Sequence, residues 1–262
     1  INNLLKNFKL DIPKQLPSMS SMLVGYFSYD VIRLIEKIPN KCKDDLKIPD
    51  IRISRPRNLI IYDNVLKKIY YIENIFSDTK ITNYNSVYSE IINKFLLLEK
   101  YENINLPEQI TYKRNNNLIK SNISKKGFKS LVIKAKRYIK QGDIFQVVLS
   151  QRFERKIYKR PLEIYNYLRK SNPSPFMFFF NYEDFKVLGS SPEILVRLRK
   201  NEITIRPIAG TRPRGKDLKS DKKYEKDLLK DKKELAEHLM LLDLGRNDVG
   251  KVSKINSVRV TE

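Results

Sequence analysis

Apolar residues recur along this chain in two rhythms, one of period two and one near 3.6, and each predicts its own elements. Asn58 to Tyr62 and Lys68 to Ile75 are rich in Ile and Tyr around a polar turn at Asp63 and Asn64, which predicts a hairpin. Val87, Ile91, Phe95 and Leu98 then share one face of a helix. Further on, Phe128, Leu131, Val132, Ala135 and Ile139 mark a second helix, which Gly142 should stop. Ile144 to Phe153 alternates, with Phe145, Val147 and Leu149 on one face and Gln146, Val148 and Ser150 on the other, the pattern of a strand. Pro161 opens a short helix through Leu168, and Asn172-Pro173-Ser174-Pro175 is a turn feeding an aromatic strand. Ile194 to Arg199 and Ile203 to Ile208 flank Lys200-Asn201 as a second hairpin. Helices and hairpins mix without a regular βαβ rhythm, so the expected class is α+β with largely antiparallel sheet.

A change of composition marks a boundary. From Gln109 to Gly142 there are ten Lys or Arg and no acid, beginning with polar residues. Residues 113–124 are read as a linker between an amino-terminal region, 1–112, and a second region, 125–262. The chain opens at Ile1 with neither methionine nor a signal-peptide pattern, which is read as the mark of a fragment.

The net charge of +22 ordinarily points to a polyanionic partner. Here Lys, Ile, Asn and Tyr supply 102 of 262 residues and Trp is absent, a bias toward AT-rich codons that accounts for much of the charge. The lysines around Lys125 to Lys140 circle their helix and form no recognised nucleic-acid motif, so a basic nucleic-acid-binding module is the rival class and nucleic acid is not the expected partner. The longest uncharged apolar run, Pro173 to Tyr182, is too short for a membrane span, and no membrane partner is expected. One histidine, His238, and one cysteine, Cys42, exclude a Cys/His zinc cluster and an intrachain disulfide. Chemistry must then rest on carboxylates, lysines, hydroxyls or a hard cation, and a reducing cytoplasm suits the protein.

Several residues carry two readings. Glu234 and Glu237, three apart on a helix, are either a solvated face, among the eight lysines and seven acids between Lys216 and Glu237, or two oxygen ligands for one hard cation such as Mg²⁺. Past them Leu239 to Leu242 are apolar all round, which predicts a helix entering the interior. Glu193, after a Gly-Ser-Ser-Pro turn, is an exposed loop residue or an acid over a sheet end. Ala209-Gly210-Thr211 is a plain strand-ending turn or a backbone suited to an oxygen-rich ligand. Arg212 and Arg214 are surface cations or ligand clamps, His238 is read as structural, and Gln146 is a polar residue on a solvent face or part of a site.

Four segments stand in one order: Gly142 to Arg152 (GDIFQVVLSQR), Gly189 to Glu193 (GSSPE), Pro207 to Gly215 (PIAGTRPRG), and Lys233 to His238 (KELAEH) running into Asp243 to Asp248 (DLGRND). Together they resemble the chorismate-utilising enzymes, in their anthranilate synthase component I branch, densely from about Gly127 onward and thinly around Gly25 to Glu36. The resemblance implies two orthogonally packed, largely antiparallel sheets with outer helices. It makes 125–262 a chorismate-binding region and 1–112 part of the synthase amino terminus. It implies conversion of chorismate and ammonia, delivered by a glutamine amidotransferase subunit, to anthranilate and pyruvate. Glu193 becomes the general acid at the C4 hydroxyl, Gln146, Ala209, Gly210 and Thr211 contact substrate, and Glu234 and Glu237 hold Mg²⁺. Asn172, Pro173, Ser174, Pro175, Phe176 and Met177 match a tryptophan feedback segment, with Phe176 where tyrosine is usual. The family's amino-terminal feedback motif does not occur before Gly25, and further metal and substrate ligands are expected beyond Glu262, so these 262 residues alone are expected to be inactive. Relatives that add water to chorismate carry lysine at the place of Gln146, as a base for water. Makers of 4-amino-4-deoxychorismate carry a nucleophilic lysine at the place of Ala209. Neither lysine is present, which sets aminodeoxychorismate synthase and isochorismate or salicylate synthase behind the anthranilate reading.

Overall fold

In a computed structural model of the chain, residues 12–76, 83–100 and 119–261 are described. The chain divides into two compact units, Ile1–Asn115 and Asn116–Glu262. Residues 113–118 of the expected linker, and the start of the acid-free stretch at 109–112, lie outside the described residues.

In the first unit, β1 (Val24–Phe27) pairs antiparallel with β2 (Ile51–Ser54), Gly25 opposite Ile53. Gly25 is required there, because a Cβ would strike the Arg52 carbonyl. The expected hairpin forms from β3 (Asn58–Asp63) and β4 (Lys68–Glu73). Its turn is set by Asp63, whose Oδ1 accepts from the amides of Val65 and Leu66, both at 2.8 Å. Helix α1 (Tyr84–Lys100) follows, as its apolar spacing predicted, though the side chain of Leu98 lies outside the described ones. Lys94 of α1 and Arg57 both reach the buried Glu73 carboxylate, at 3.5 and 2.9 Å. A charge so enclosed is tolerable because it is paired. Among the described residues Ile72, beside it in β4, is the one buried hydrophobic side chain.

In the second unit, β5 (Lys120–Ser121) leads to α2 (Lys125–Gln141). Ser124 caps α2 by accepting from the Gly127 amide at 3.1 Å. Gly142, at φ 81°, ends it in a Schellman turn: its amide bonds the Ile139 carbonyl and that of Asp143 the Tyr138 carbonyl. The strand expected over Ile144 to Phe153 is corrected by the structure. Only β6 (Phe153–Glu154) pairs, with β5, and the alternating residues before it are irregular, Phe145 89% and Val148 86% exposed. Alternation supplies a face, but a strand also needs a neighbour for its backbone groups, and in this segment before β6 a described one meets only Arg152, whose carbonyl accepts from the Asn122 amide at 3.2 Å.

Helix α3 (Pro161–Ser171) has Pro161 in its first turn, and β7 (Phe176–Asn181) pairs with β8 (Lys186–Ser191). α3 packs on that ladder through Tyr165, whose ring lies 5.6 Å from that of Phe179. The second expected hairpin is real but shorter: β9 (Arg197–Arg199) and β10 (Glu202–Thr204) flank Lys200 and Asn201, both at positive φ, the pair a tight I′ turn demands. Helices α4 (Leu218–Lys230) and α5 (Lys232–Gly250) complete the unit. Leu239 in α5 is 61% exposed, which corrects the expectation that this helix enters an interior just past Glu237. The class is thus mixed helix and antiparallel strand, the described strands pairing as five two-stranded ladders. No described helix is long and apolar enough to cross a membrane.

Candidate active site

Ser191, the last residue of β8, fixes where Glu193 stands. Its hydroxyl donates to the Glu193 carbonyl at 3.1 Å and accepts from the Glu193 amide at 3.4 Å, across Pro192. The Gly-Ser-Ser run begins at Gly189 for a packing reason, since the Phe178 ring of the facing strand occupies the space a Cβ would need. Held this way, Glu193 Oε1 accepts from the backbone amide of Ile208 at 3.0 Å. This bond ties the GSSPE turn to the segment that continues into Ala209-Gly210-Thr211. Glu193 also borders a groove of about 570 Å³ lined by Ile203, Ile205, Leu241 and Leu244. The groove's helix side comes close because Gly245 of the DLGRND run leaves room for the Ile205 side chain.

Gly210 meets the third motif. A Cβ on it would fall on the Glu234 carboxylate, so the glycine forms a cradle for that acid. Glu234 is placed by the start of α5, where Asp231 is the N-cap and its Oδ1 accepts from the amides of Lys233 and Glu234 at 3.0 and 3.3 Å. Arg212 then closes the arrangement. Its guanidinium donates to Asp227 and Asp231, each at 2.8 Å, and approaches Glu234 Oε1 at 3.5 Å. The hydrogen bond to Asp227 chiefly, with that to Asp231, holds the Arg212 pKa above its ordinary value against some desolvation. The Asp231 carboxyl is held below its ordinary range, first by the Glu234 amide and then by Arg212.

The structure therefore brings together Glu193, Ala209, Gly210, Thr211 and Glu234. Glu237 is half-exposed one turn further along α5, and His238 stands beside it, also half-exposed. Gln146 is exposed in the irregular segment after α2 and makes no described contact with this group. Asn172, Pro173, Ser174 and Pro175 lie between α3 and β7. The Ser190 hydroxyl donates to the Asn172 carbonyl at 2.7 Å, Phe176 and Met177 pair with Ser191 and Ser190, and the Ser174 hydroxyl oxygen is buried without a hydrogen-bond partner. The segment is thus two residues, by register, from Glu193.

Sequence reasoning missed Asp227 and Asp231, and with them the role of Arg212. The available signal was Asp231-Lys232-Lys233-Glu234: a capping residue followed by Glu at the third position marks a helix start inside what reads as one charged run. Among the described residues no group of three or more His, Cys, Asp or Glu converges as a metal site. Two carboxylates suit Mg²⁺ nonetheless, because that ion keeps several waters and is ordinarily held by one or two carboxylates together with its substrate.

Residues 2–262 match the chorismate binding enzyme family, and the chain belongs to it. Similar proteins include anthranilate synthase component 1 of Cereibacter sphaeroides, 44% identical over 261 residues, covering 99% of this chain and 52% of the relative. The component 1 protein of Aquifex aeolicus is 42% identical over 260 residues, covering 99% of this chain and 53% of its own. The crystal structure of anthranilate synthase component I from Streptococcus pneumoniae superposes with a TM-score of 0.85 at 32% identity, over all of this chain and 57% of that one. The chain thus spans about half the length of the relatives it matches.

Proposed function

We propose that this chain carries part of the active centre of an anthranilate synthase, acting on chorismate and ammonia to give anthranilate and pyruvate. The observation that supports it best is the meeting of three separate motifs, at Glu193, Ala209 to Thr211, and Glu234, through the Glu193 to Ile208 bond and the Gly210 cradle. In this reading chorismate lies against the Ala209-Gly210-Thr211 backbone. Ammonia adds at C2 as the C4 hydroxyl departs as water, taking its proton from Glu193. With Oε1 engaged by the Ile208 amide, Oε2 is the oxygen that carries that proton. Loss of pyruvate then leaves the aromatic ring. Glu234 and Glu237 would hold Mg²⁺, which supplies positive charge to the ring carboxylate. The ladders described above would belong to two orthogonally packed sheets.

Ammonia would come from a glutamine amidotransferase subunit, as the component naming of the relatives implies a second component. Asn172 to Met177 would form part of a tryptophan site. The lone exposed Cys42 fits a cytoplasmic setting. Product analysis tests the reading: a chain extended to its relatives' length, given chorismate, ammonia and Mg²⁺, should release fluorescent anthranilate. 4-Amino-4-deoxychorismate or isochorismate as main product would overturn it. The 262 residues alone should show no turnover, and measurable anthranilate from them would refute the expectation that essential ligands lie outside them. Duplex DNA should bind no tighter than the nonspecific range of about 10⁻⁴ to 10⁻⁶ M at physiological salt.

A further inference from the structure

Arg212 holds three acids at once, and the three bonds are unequal. Asp227 and Asp231 each receive a direct bond at 2.8 Å, while Glu234 is approached only at 3.5 Å. Glu234 is thus the acid the guanidinium gives up most easily, and it is the one seated against Gly210. We propose that Arg212 is a positioning residue that competes with a divalent cation for Glu234, while Asp227 and Asp231 keep the guanidinium from following it. The inference rests on the reading of Glu234 and Glu237 as cation ligands.

The charges explain the arrangement. A lone arginine beside a cation site repels the ion, but two further carboxylates on the same guanidinium draw its charge away from Glu234. Asp231 does this from the N-cap of α5, so the residue that fixes the helix start also restrains the competitor. Asp227, on α4, has its side chain 64% exposed and contributes by the pairing alone. Weakening Asp227 should turn Arg212 toward Glu234, and removing Arg212 should release Glu234 altogether. The two changes have opposite signs, which a merely structural role for Arg212 does not give.

The test is direct Mn²⁺ binding to a chain of the relatives' length, followed by the electron paramagnetic resonance of the free ion and requiring no activity. Arg212→Gln should tighten Mn²⁺ binding by roughly two- to fivefold, the scale of one partly exposed ion pair. Asp227→Asn should weaken it by a similar factor, and circular dichroism checks that this exposed substitution keeps the fold. The gain in Arg212→Gln must vanish in Arg212→Gln with Glu234→Gln, otherwise the freed aspartates bind the ion and the proposal fails. Equal or weaker binding in Arg212→Gln, or tighter binding in Asp227→Asn, also overturns it. If Glu234→Gln and Glu237→Gln leave wild-type Mn²⁺ binding unchanged, the cation reading of those residues fails first, and the proposal with it.

Discussion

Two stretches of the second unit, Ile144 to Ser150 and Gly189 to Glu234, both carry family motifs, yet only one is assembled. In the later stretch every motif has a partner close by in sequence: Gly189 faces Phe178 across a hairpin, Glu193 bonds Ile208, and Arg212 meets Asp227, Asp231 and Glu234. In the earlier stretch Gln146 and its neighbours are irregular and exposed. The contrast teaches that a motif takes its geometry from what lies within reach. Hairpins and helix caps close over short loops at small entropic cost, whereas a strand without a sequence neighbour waits on a distant one.

If the later stretch does the chemistry, substitutions there should dominate. In a chain of the relatives' length, Glu193→Gln should lower anthranilate formation by about 10²- to 10⁴-fold, the usual contribution of a positioned general acid. A loss below tenfold, measured as kcat with saturating chorismate, would return Glu193 to an exposed loop residue. Gln146→Lys probes the other stretch and should leave anthranilate the main product with only a trace of isochorismate, since a base must be both placed and tuned to activate water. Isochorismate as the larger product would show that Gln146 reaches the reacting carbon after all.

The same contrast governs what could be read from sequence. Both hairpins, the helix through Phe128 to Ile139 with its stop at Gly142, and the Pro161 helix are legible because their signals are local: alternation beside a turn, helical spacing before a glycine, a fixed proline φ. Over Ile144 to Phe153 the pattern misleads, because alternation reports a face and not a partner. Of the candidate site, residue types at Glu193, Gly210 and Glu234 were visible, but that Gly210 cradles Glu234 was not, since the two are joined by tertiary approach. The Arg212 cluster lies inside a charged run that masks the helix break at Asp231.

Stability offers a smaller but cleaner separation. Gly189→Ala forces a methyl against the Phe178 ring and should cost about 1–3 kcal/mol, as overpacking does. Gly142→Ala meets no neighbour, but its φ of 81° disfavours alanine, and about 1 kcal/mol is expected. Val148→Ser, at an 86% exposed position of the unpaired stretch, should fall within about 0.5 kcal/mol of the parent. Urea midpoints of the 262-residue chain measure all three, and a Val148→Ser loss equal to that of Gly189→Ala would mean that the earlier stretch is packed.

The faintest effect concerns acid. Asp231 and Asp217, the N-caps of α5 and α4, both have carboxyls held below the ordinary value of 3.8, by the Glu234 amide and Arg212 for the first and by Ser220 for the second. A carboxyl whose folded pKa is depressed binds its proton more readily in the unfolded chain, so its stabilising contribution is complete above the ordinary value and is lost as pH falls through the folded one. Lowering the pH from about 5 through and below 3.8 should therefore loosen the first turns of α4 and α5 before it affects α2, which Ser124 caps with a hydroxyl that does not titrate. Amide hydrogen exchange, corrected for its intrinsic pH dependence, should show Ser220 and Glu234 losing protection while Gly127 keeps it. Equal loss at Gly127 would mean that acid acts on the whole unit, and that the caps binding Glu234 into the assembled stretch have no separate part in holding it there.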